Sequence, residues 1–433
     1  MASEPAVRPI LPLAAPPDAA VAVPGSKSLT NRALVLAALA DGPSRLINAL
    51  FADDTVVMVE SLRRLGFDIE VDERAPAMRV VGRGGIIPAA TADLFVGGAG
   101  TAARFLTAIA CLGSGRYRLD GTVRMRERPV GDLVDALTTL GASVTATRGS
   151  LPVLIEARGL HGGRAAVRGD VSSQFVSAVL MAAPYAAGDV ELLVEGRLVA
   201  APYVEMTLAA MAAFGIEVEQ DGLRRFLVRT GRRYRPRDYA VEPDASGAAY
   251  FFAAAAITGG RVRVPGLSSV SLQGDARFVD VLEQMGCRVE RAPDALTVQG
   301  RGAPGGVLRG VDVDMGAMSD QAMTLAAIAP FAAGPTRIRG VAHIRHQESD
   351  RLAATAAELR RLGQEVEEFD DGLVVTPQPV RPAVVQTYND HRIAMAFAIT
   401  GLRAPGIVIA DPGCVTKTFP DFFERLERLR AVR

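Results

Sequence analysis

Lysine is nearly absent from this 433-residue chain, because Lys27 and Lys417 are the only lysines among its 48 Lys+Arg and the rest are arginine. Two readings of that bias stand: lysine persists there by chance, or a compact ammonium is needed where a planar guanidinium would not serve. Net charge is missing too, since 48 Asp+Glu balance the basic residues. A balanced chain offers no general polyanion-binding surface, which argues against nucleic acid as a partner. Apolar runs such as Ala33 to Ala40 and Tyr250 to Ile257 fall well short of the roughly 18 residues a membrane span requires. The chain should be soluble, with no membrane partner. Cysteine is scarce as well. Cys111, Cys287 and Cys414 are odd in number and far apart, which suggests neither a disulfide framework nor a zinc site. In place of a leader's basic start and apolar core, the N-terminus has Glu4 and scattered prolines (Pro5, Pro9, Pro12, Pro16, Pro17). A cytoplasmic location is the expectation.

The composition, 49% hydrophobic and 22% charged, is that of a globular protein rather than a disordered or fibrous one. Its length exceeds a single core, and about 100 to 200 residues per domain gives two or three domains. Self-similarity then supplies an architecture. Five amphipathic stretches end in glycine: Leu62 to Gly66, Leu137 to Gly141, Met211 to Gly215, Leu282 to Gly286 and Leu359 to Gly363, with the glycines 75, 74, 71 and 77 residues apart. An alternating segment follows each, so each unit predicts a helix, a glycine cap and a strand.

A second element recurs six times, as a polar or glycine-bearing start, an alanine-rich helix, a turn and a β-branched strand. The starts are Gly25 to Ser28, Gly97 to Thr101, Asp170 to Gln174, Asp244 to Gly247, Met318 to Gln321 and Tyr388 to Arg392. Without a clear polar face these helices should lie buried, with sheets outside. Their N-termini carry free backbone N–H groups, so convergent ends would bind anions. Six copies divide most simply into two domains of three.

Pro24-Gly-Ser-Lys27-Ser28-Leu-Thr-Asn-Arg32 resembles the opening signature of the 5-enolpyruvylshikimate-3-phosphate synthase family. Further matches follow in order: Leu94 to Arg104, Arg124 to Pro129, Val171 to Phe175, Glu348 to Leu352, Tyr388 to Arg392 and Lys417 to Pro420. The resemblance implies an α/β fold of two domains, each of three βαβαββ units with buried helices and outer sheets, joined by a double-crossover hinge. On this reading one domain spans 24–240, and the other joins 1–23 to 241–433.

The reaction so implied moves the enolpyruvyl group of phosphoenolpyruvate to the 5-hydroxyl of shikimate 3-phosphate through a tetrahedral ketal. It needs no metal and no organic cofactor, and the family is monomeric. By resemblance, Lys27, Gly100, Arg128, Gln174, Arg351, Arg392 and Lys417 hold phosphoenolpyruvate. Lys27, Ser28, Arg32, Ser172, Ser173, Gln174, Tyr203, Asp320, His343 and Gln347 hold or border shikimate 3-phosphate. Asp320 is the implied base toward the hydroxyl, Glu348 handles the methylene proton, and Lys27 and Lys417 stabilise charge on the departing phosphate. Taken without the resemblance, Asp320 would cap a helix, His391 would be structural and Arg351 would lie on a solvated face.

Some positions depart from the pattern: Ala200, His343 and Gln347 stand where the family has serine, asparagine and lysine. A paralogous enolpyruvyl transferase on a shikimate-like acceptor is therefore an alternative, as is a catalytically silent binding protein. The branch acting on UDP-N-acetylglucosamine uses a loop cysteine, but Arg124 to Pro129 contains none and Cys111 falls in an alanine-rich helix. The resemblance also implies that glyphosate competes for the phosphoenolpyruvate pocket. There Gly98, Ala103 and Phe105 replace the common Asn, Met and Pro, Phe105 being expected in the first helical turn.

Overall fold

Each alanine-rich segment forms a helix, because alanine favours helix strongly and its small side chain lets neighbouring backbones pack closely. In the computed structural model, which describes residues 7–301 and 306–430, these helices are Lys27–Leu39, Gly100–Ala110, Ser173–Ala182, Ala245–Thr258, Ala322–Ile328 and His391–Gly401. From their second turn onward they are almost wholly buried. The chain divides into two units: Gly25–Val241, and the segment ending at Pro24 joined to the chain from Glu242 onward.

The unit Gly25–Val241 has three four-stranded sheets around one continuous apolar core. The sheet of Thr91–Phe95, Ser114–Asp120, Ser150–Arg158 and Val144–Thr147 shows the plan. Its first two strands are parallel, as a strand–helix–strand crossover requires, and the last two close it as an antiparallel hairpin. Leu151, Val153, Ile155 and Ala157 face the core while Leu154 is exposed, the period-2 pattern of a sheet with one wet face.

The amphipathic helices Asp53–Arg64, Gly131–Thr139, Pro202–Ala213, Phe278–Gln284 and Arg351–Arg361 end as the glycine spacing predicts. Gly66, Gly141, Gly215, Gly286 and Gly363 follow them at φ between +84° and +103°, where a side chain would be strained.

Two strands that open a sheet come from distant sequence. Asp238–Ala240 pairs in parallel with Pro43–Ile47, and Asp18–Ala20 with Arg261–Pro265. The sixth unit varies the pattern, since its sheet has three strands: Ala383–Val385, Ile407–Ala410 and, antiparallel to the latter, Val7–Ile10. After Ala410 the chain turns through Pro412–Lys417 into helix Phe422–Arg428 instead of a hairpin. Phe419, Phe422 and Phe423 are thereby buried near Tyr250 and Phe251.

Candidate active site

Lys27, Ser28, Arg32, Gly100, Arg128, Ser172, Ser173, Gln174 and Tyr203 belong to Gly25–Val241, whereas Asp320, His343, Gln347, Glu348, Arg351, Arg392 and Lys417 belong to the other unit. In the first set Lys27 opens helix Lys27–Leu39, just after the Ser26 cap. Its ammonium lies 3.2 Å from the carboxylate of Asp54, a buried residue in the first turn of Asp53–Arg64. Sequence does not single out Asp54, since an acidic pair at a helix start is explained by the helix dipole alone.

Arg32 is 2% exposed. It donates to Thr207 Oγ1 at 2.7 Å, the Tyr203 carbonyl at 2.8 Å and the Ser28 carbonyl at 3.0 Å, and it lies over the Phe105 ring, 5.3 Å from its centroid. Burial pulls its pKa down to about 10. The resemblance implies a ligand-binding or bordering Arg32, and its own bonds and ring contact tie three helices together beneath Ser28 and Tyr203.

Gly100 opens helix Gly100–Ala110, and a Cβ there would sit 2.6 Å from Arg128 Nη2. Glycine is what leaves room for the guanidinium. The loop carrying Arg128 is pinned twice. Arg104 donates to the Pro129 carbonyl at 2.6 Å and to the Gly100 carbonyl at 3.2 Å. Arg126 grips Asp120 at 2.8 and 2.7 Å, and these bonds hold the Asp120 carboxyl well below its usual range, at about 2. Ser172 caps helix Ser173–Ala182 by accepting from the Gln174 N–H at 3.2 Å. Ser173 is buried, and Gln174 and Tyr203 are half-buried. Ala200 adopts φ +49°, an uncommon conformation for alanine, in the turn into helix Pro202–Ala213, where its carbonyl accepts from the Tyr203 N–H at 3.0 Å.

The second set is a charged network around Arg351, which is 2% exposed and so not on a solvated face. Its guanidinium reaches Asp390 at 2.8 Å, Glu348 at 2.9 Å and Asp320 at 3.0 Å, and it donates to Gln347 Oε1. Burial alone would lower the Arg351 pKa, but the three carboxylates outweigh it and raise the value. Asp320 caps no helix: it lies inside the turn Ser319–Gln321 and bridges Arg351 to Arg392, the latter at 2.5 Å. Glu348 stands 4.0 Å from Lys417, and His343 shares a 2.9 Å hydrogen bond with Ser319.

Asp390, fully buried, accepts from Arg351, from Ser349 Oγ at 3.0 Å and from the Arg392 N–H at 3.0 Å. It thus caps the helix bearing Arg392 while holding Arg351. Tyr388 and Asn389, at φ +55° and +53°, make the turn into that helix. Buried Glu358 steadies the turn by accepting from the Tyr388 hydroxyl at 2.8 Å and the Gln386 N–H at 3.0 Å. His391 is wholly buried. The three thiols are unpaired, and burial pushes each up to about 12, away from the thiolate needed for nucleophilic use.

Both sets place cations at helix starts, an arrangement suited to phosphate and carboxylate ligands. The second adds two carboxylates beside cations, as a pair of proton-transfer groups would be placed. Among the described residues no helix is long and apolar enough to cross a membrane.

A sequence model of the family described as EPSP synthase (3-phosphoshikimate 1-carboxyvinyltransferase) matches residues 14–426. The chain is 52% identical over 412 residues to the 3-phosphoshikimate 1-carboxyvinyltransferase of Nostoc punctiforme, covering 95% of this chain and 96% of that one. It is 48% identical to the chloroplastic enzyme of Arabidopsis thaliana, over 94% and 82% of the two chains. Among solved structures it resembles an EPSP synthase from Acinetobacter baumannii with TM-score 0.81 at 25% identity, covering 98% of each chain. The enolpyruvyl transferase NikO from Streptomyces tendae has the same fold, with TM-score 0.79 at 21% identity over 98% and 97% of the chains.

Proposed function

Because this chain belongs to the EPSP synthase family, we propose that its two charged clusters divide the work of one reaction between them. The reaction is transfer of the carboxyvinyl group of phosphoenolpyruvate to shikimate 3-phosphate, in the shikimate pathway to chorismate and the aromatic amino acids. Near-full-length identity of about half to enzymes of that name favours it over a transferase for another acceptor.

The observation that carries the reading is the bracketing of two carboxylates by cations within the second cluster, Asp320 by Arg351 and Arg392 and Glu348 by Arg351 and Lys417, which puts both proton-transfer groups there and leaves the first cluster to bind. Phosphoenolpyruvate, with a phosphate and a carboxylate, suits Lys27, Gly100, Arg128, Gln174, Arg351, Arg392 and Lys417. Shikimate 3-phosphate suits Lys27, Ser28, Ser172, Ser173, Gln174, Tyr203, Asp320, His343 and Gln347, with Arg32 holding helices in place below. In the addition step Asp320 takes the 5-hydroxyl proton as that oxygen bonds to C2 of phosphoenolpyruvate, and Glu348, entering the step as the carboxylic acid, delivers its proton to the methylene carbon. The ketal then breaks its C–O bond to phosphate, which leaves with the electron pair and takes up the proton held by Asp320, restoring that carboxylate. A methyl proton returns to Glu348 and restores the vinyl group. Lys27 and Lys417 stabilise the departing charge.

Ala200 brings no hydroxyl where the family has serine, so in this reading Ser172 and Ser173 supply the hydroxyl contacts to the acceptor phosphate. The enzyme acts as a cytoplasmic monomer in this reading. The test is phosphate release: it should require both substrates and vanish in Lys27→Ala. Unchanged turnover in that variant would refute the role of Lys27, and no release with the parent enzyme would refute the assignment.

A further inference from the structure

Asp275 is 4% exposed, in the turn Gly274–Arg277, and takes no part in the steps above. One oxygen accepts from Ser246 Oγ and, at 3.1 Å, from Gln321 Nε2. The other is buried with no hydrogen-bond partner among the described residues. A buried carboxylate with one oxygen unpaired opposes folding, and a neutral side chain of similar shape would serve packing better. Gln321 is the neighbour of Asp320, and Asp275 and Asp320 repel as like charges while Arg392 attracts Asp275.

We propose that Asp275 is a positioning residue for the transfer, which opposes from inside the fold the pull of Arg351 and Arg392 on Asp320 and so keeps Asp320 basic enough to accept the hydroxyl proton. The proposal rests on the reading of Asp320 as the base. Two guanidiniums favour the anionic carboxylate and thereby weaken it as a proton acceptor, whereas a second carboxylate has the opposite effect. Burial, then Asp320, push Asp275 up to about 6 against Arg392, Ser246 and Gln321. The two donors on its one bonded oxygen, Ser246 and Gln321, favour the charged form. The other charged groups nearby are engaged elsewhere. Asp244, which caps the helix packed against this turn, accepts from the Gly247 N–H at 2.8 Å. Arg277 is exposed and lies 3.7 Å from Asp280.

The test is the pH profile of kcat for three folded variants. Asp275→Asn should lower kcat about three- to tenfold and move its acidic limb down by about half to one pH unit, with KM for phosphoenolpyruvate nearly unchanged. Ser246→Ala keeps the carboxyl but removes a hydrogen bond that favours its charge, so Asp275 protonates more readily and the acidic limb should also move down, by less than in Asp275→Asn. Graded shifts in one direction, at a nearly unchanged KM, would not come from loosened packing. An Asp275→Asn enzyme with the parent's kcat and limb overturns the proposal. If that variant does not fold, Ser246→Ala decides alone, and an unmoved limb overturns it. Asp320→Asn separates the premise, because near-parent turnover there removes Asp320 as the base whatever Asp275 does.

Discussion

The two bracketed carboxylates have different neighbours, and the difference predicts separable effects. Asp320 touches two guanidiniums and Glu348 one guanidinium and, more distantly, Lys417. Asp320→Asn and Glu348→Gln preserve shape while removing proton transfer, so each should cut kcat about 100- to 10,000-fold with little change in substrate binding. Binding measured by calorimetry alongside turnover checks this, and near-parent kcat in both places the acid and base elsewhere. Asp275 gives a prediction for stability of the opposite sign to its effect on rate. Its folded pKa, about 6, exceeds the roughly 3.9 of an unfolded aspartate, so folding takes up a proton between those values. Stability from this group is therefore full below about pH 4 and declines as pH rises through 6. Asp275→Asn should remove that decline: its thermal midpoint should match or exceed the parent's at pH 8 while losing ground at pH 5. A midpoint lower by the same amount at both pH values would mean the carboxylate serves packing alone.

Phe105 shows how an element changes a residue's meaning. Numbered from Gly100 it lies in the second helical turn, not the first, and its ring is fully buried under the Arg32 guanidinium. Proline there would delete an intrahelical hydrogen bond and leave a cavity, each costing about 3 kcal/mol or more. Phe105→Pro should thus lower the thermal midpoint rather than tune the pocket. A stable Phe105→Pro enzyme would show that the helix begins later than Gly100. The loop's influence on glyphosate is better probed at Gly98, whose carbonyl faces Arg128 at 3.5 Å. Gly98→Asn should strengthen inhibition competitive with phosphoenolpyruvate, and an unchanged inhibition constant would clear the loop of any part. The six helix starts and five glycine caps were legible because each obeys a local rule of capping or periodicity. Asp54, Asp120, Asp275 and Asp390 were not, since what defines them is a cation or amide usually far along the chain: Lys27 for Asp54, Gln321 for Asp275, Arg351 for Asp390. Asp390 lies within the recognised Tyr388 to Arg392 motif, yet only the fold shows that it holds Arg351. Arg351 itself, in a run of charged residues, carried no sign of burial.

At the scale of the whole molecule, the route of the chain makes the two units unequal. Gly25–Val241 contains every strand of its three sheets, because Asp238–Ala240 returns to fill the place beside Pro43–Ile47. The other unit borrows from the N-terminus: Val7–Ile10 covers Ile407–Ala410, and Asp18–Ala20 covers Arg261–Pro265. Further ties join the same segments, including Leu13 N–H to the Leu402 carbonyl at 2.8 Å and Arg430 to the Pro12 carbonyl at 2.8 Å. Removing residues 1–24 would strip two sheets of an edge strand and expose paired-strand edges to association. A polypeptide of residues 25–241 should therefore unfold cooperatively on its own. Residues 242–433 alone should aggregate or melt without a sharp transition, and co-expression with a peptide of residues 1–24 should restore solubility and a cooperative transition. Neither fragment should release phosphate from the two substrates, because the proposed cations are divided between the units and both proton-transfer groups lie in residues 242–433. Chemical denaturation followed by circular dichroism distinguishes the cases. If residues 242–433 melted as sharply without the peptide as with it, the borrowed strands would be ornaments on a core that stands without them, and the N-terminal crossing would be dispensable to the fold.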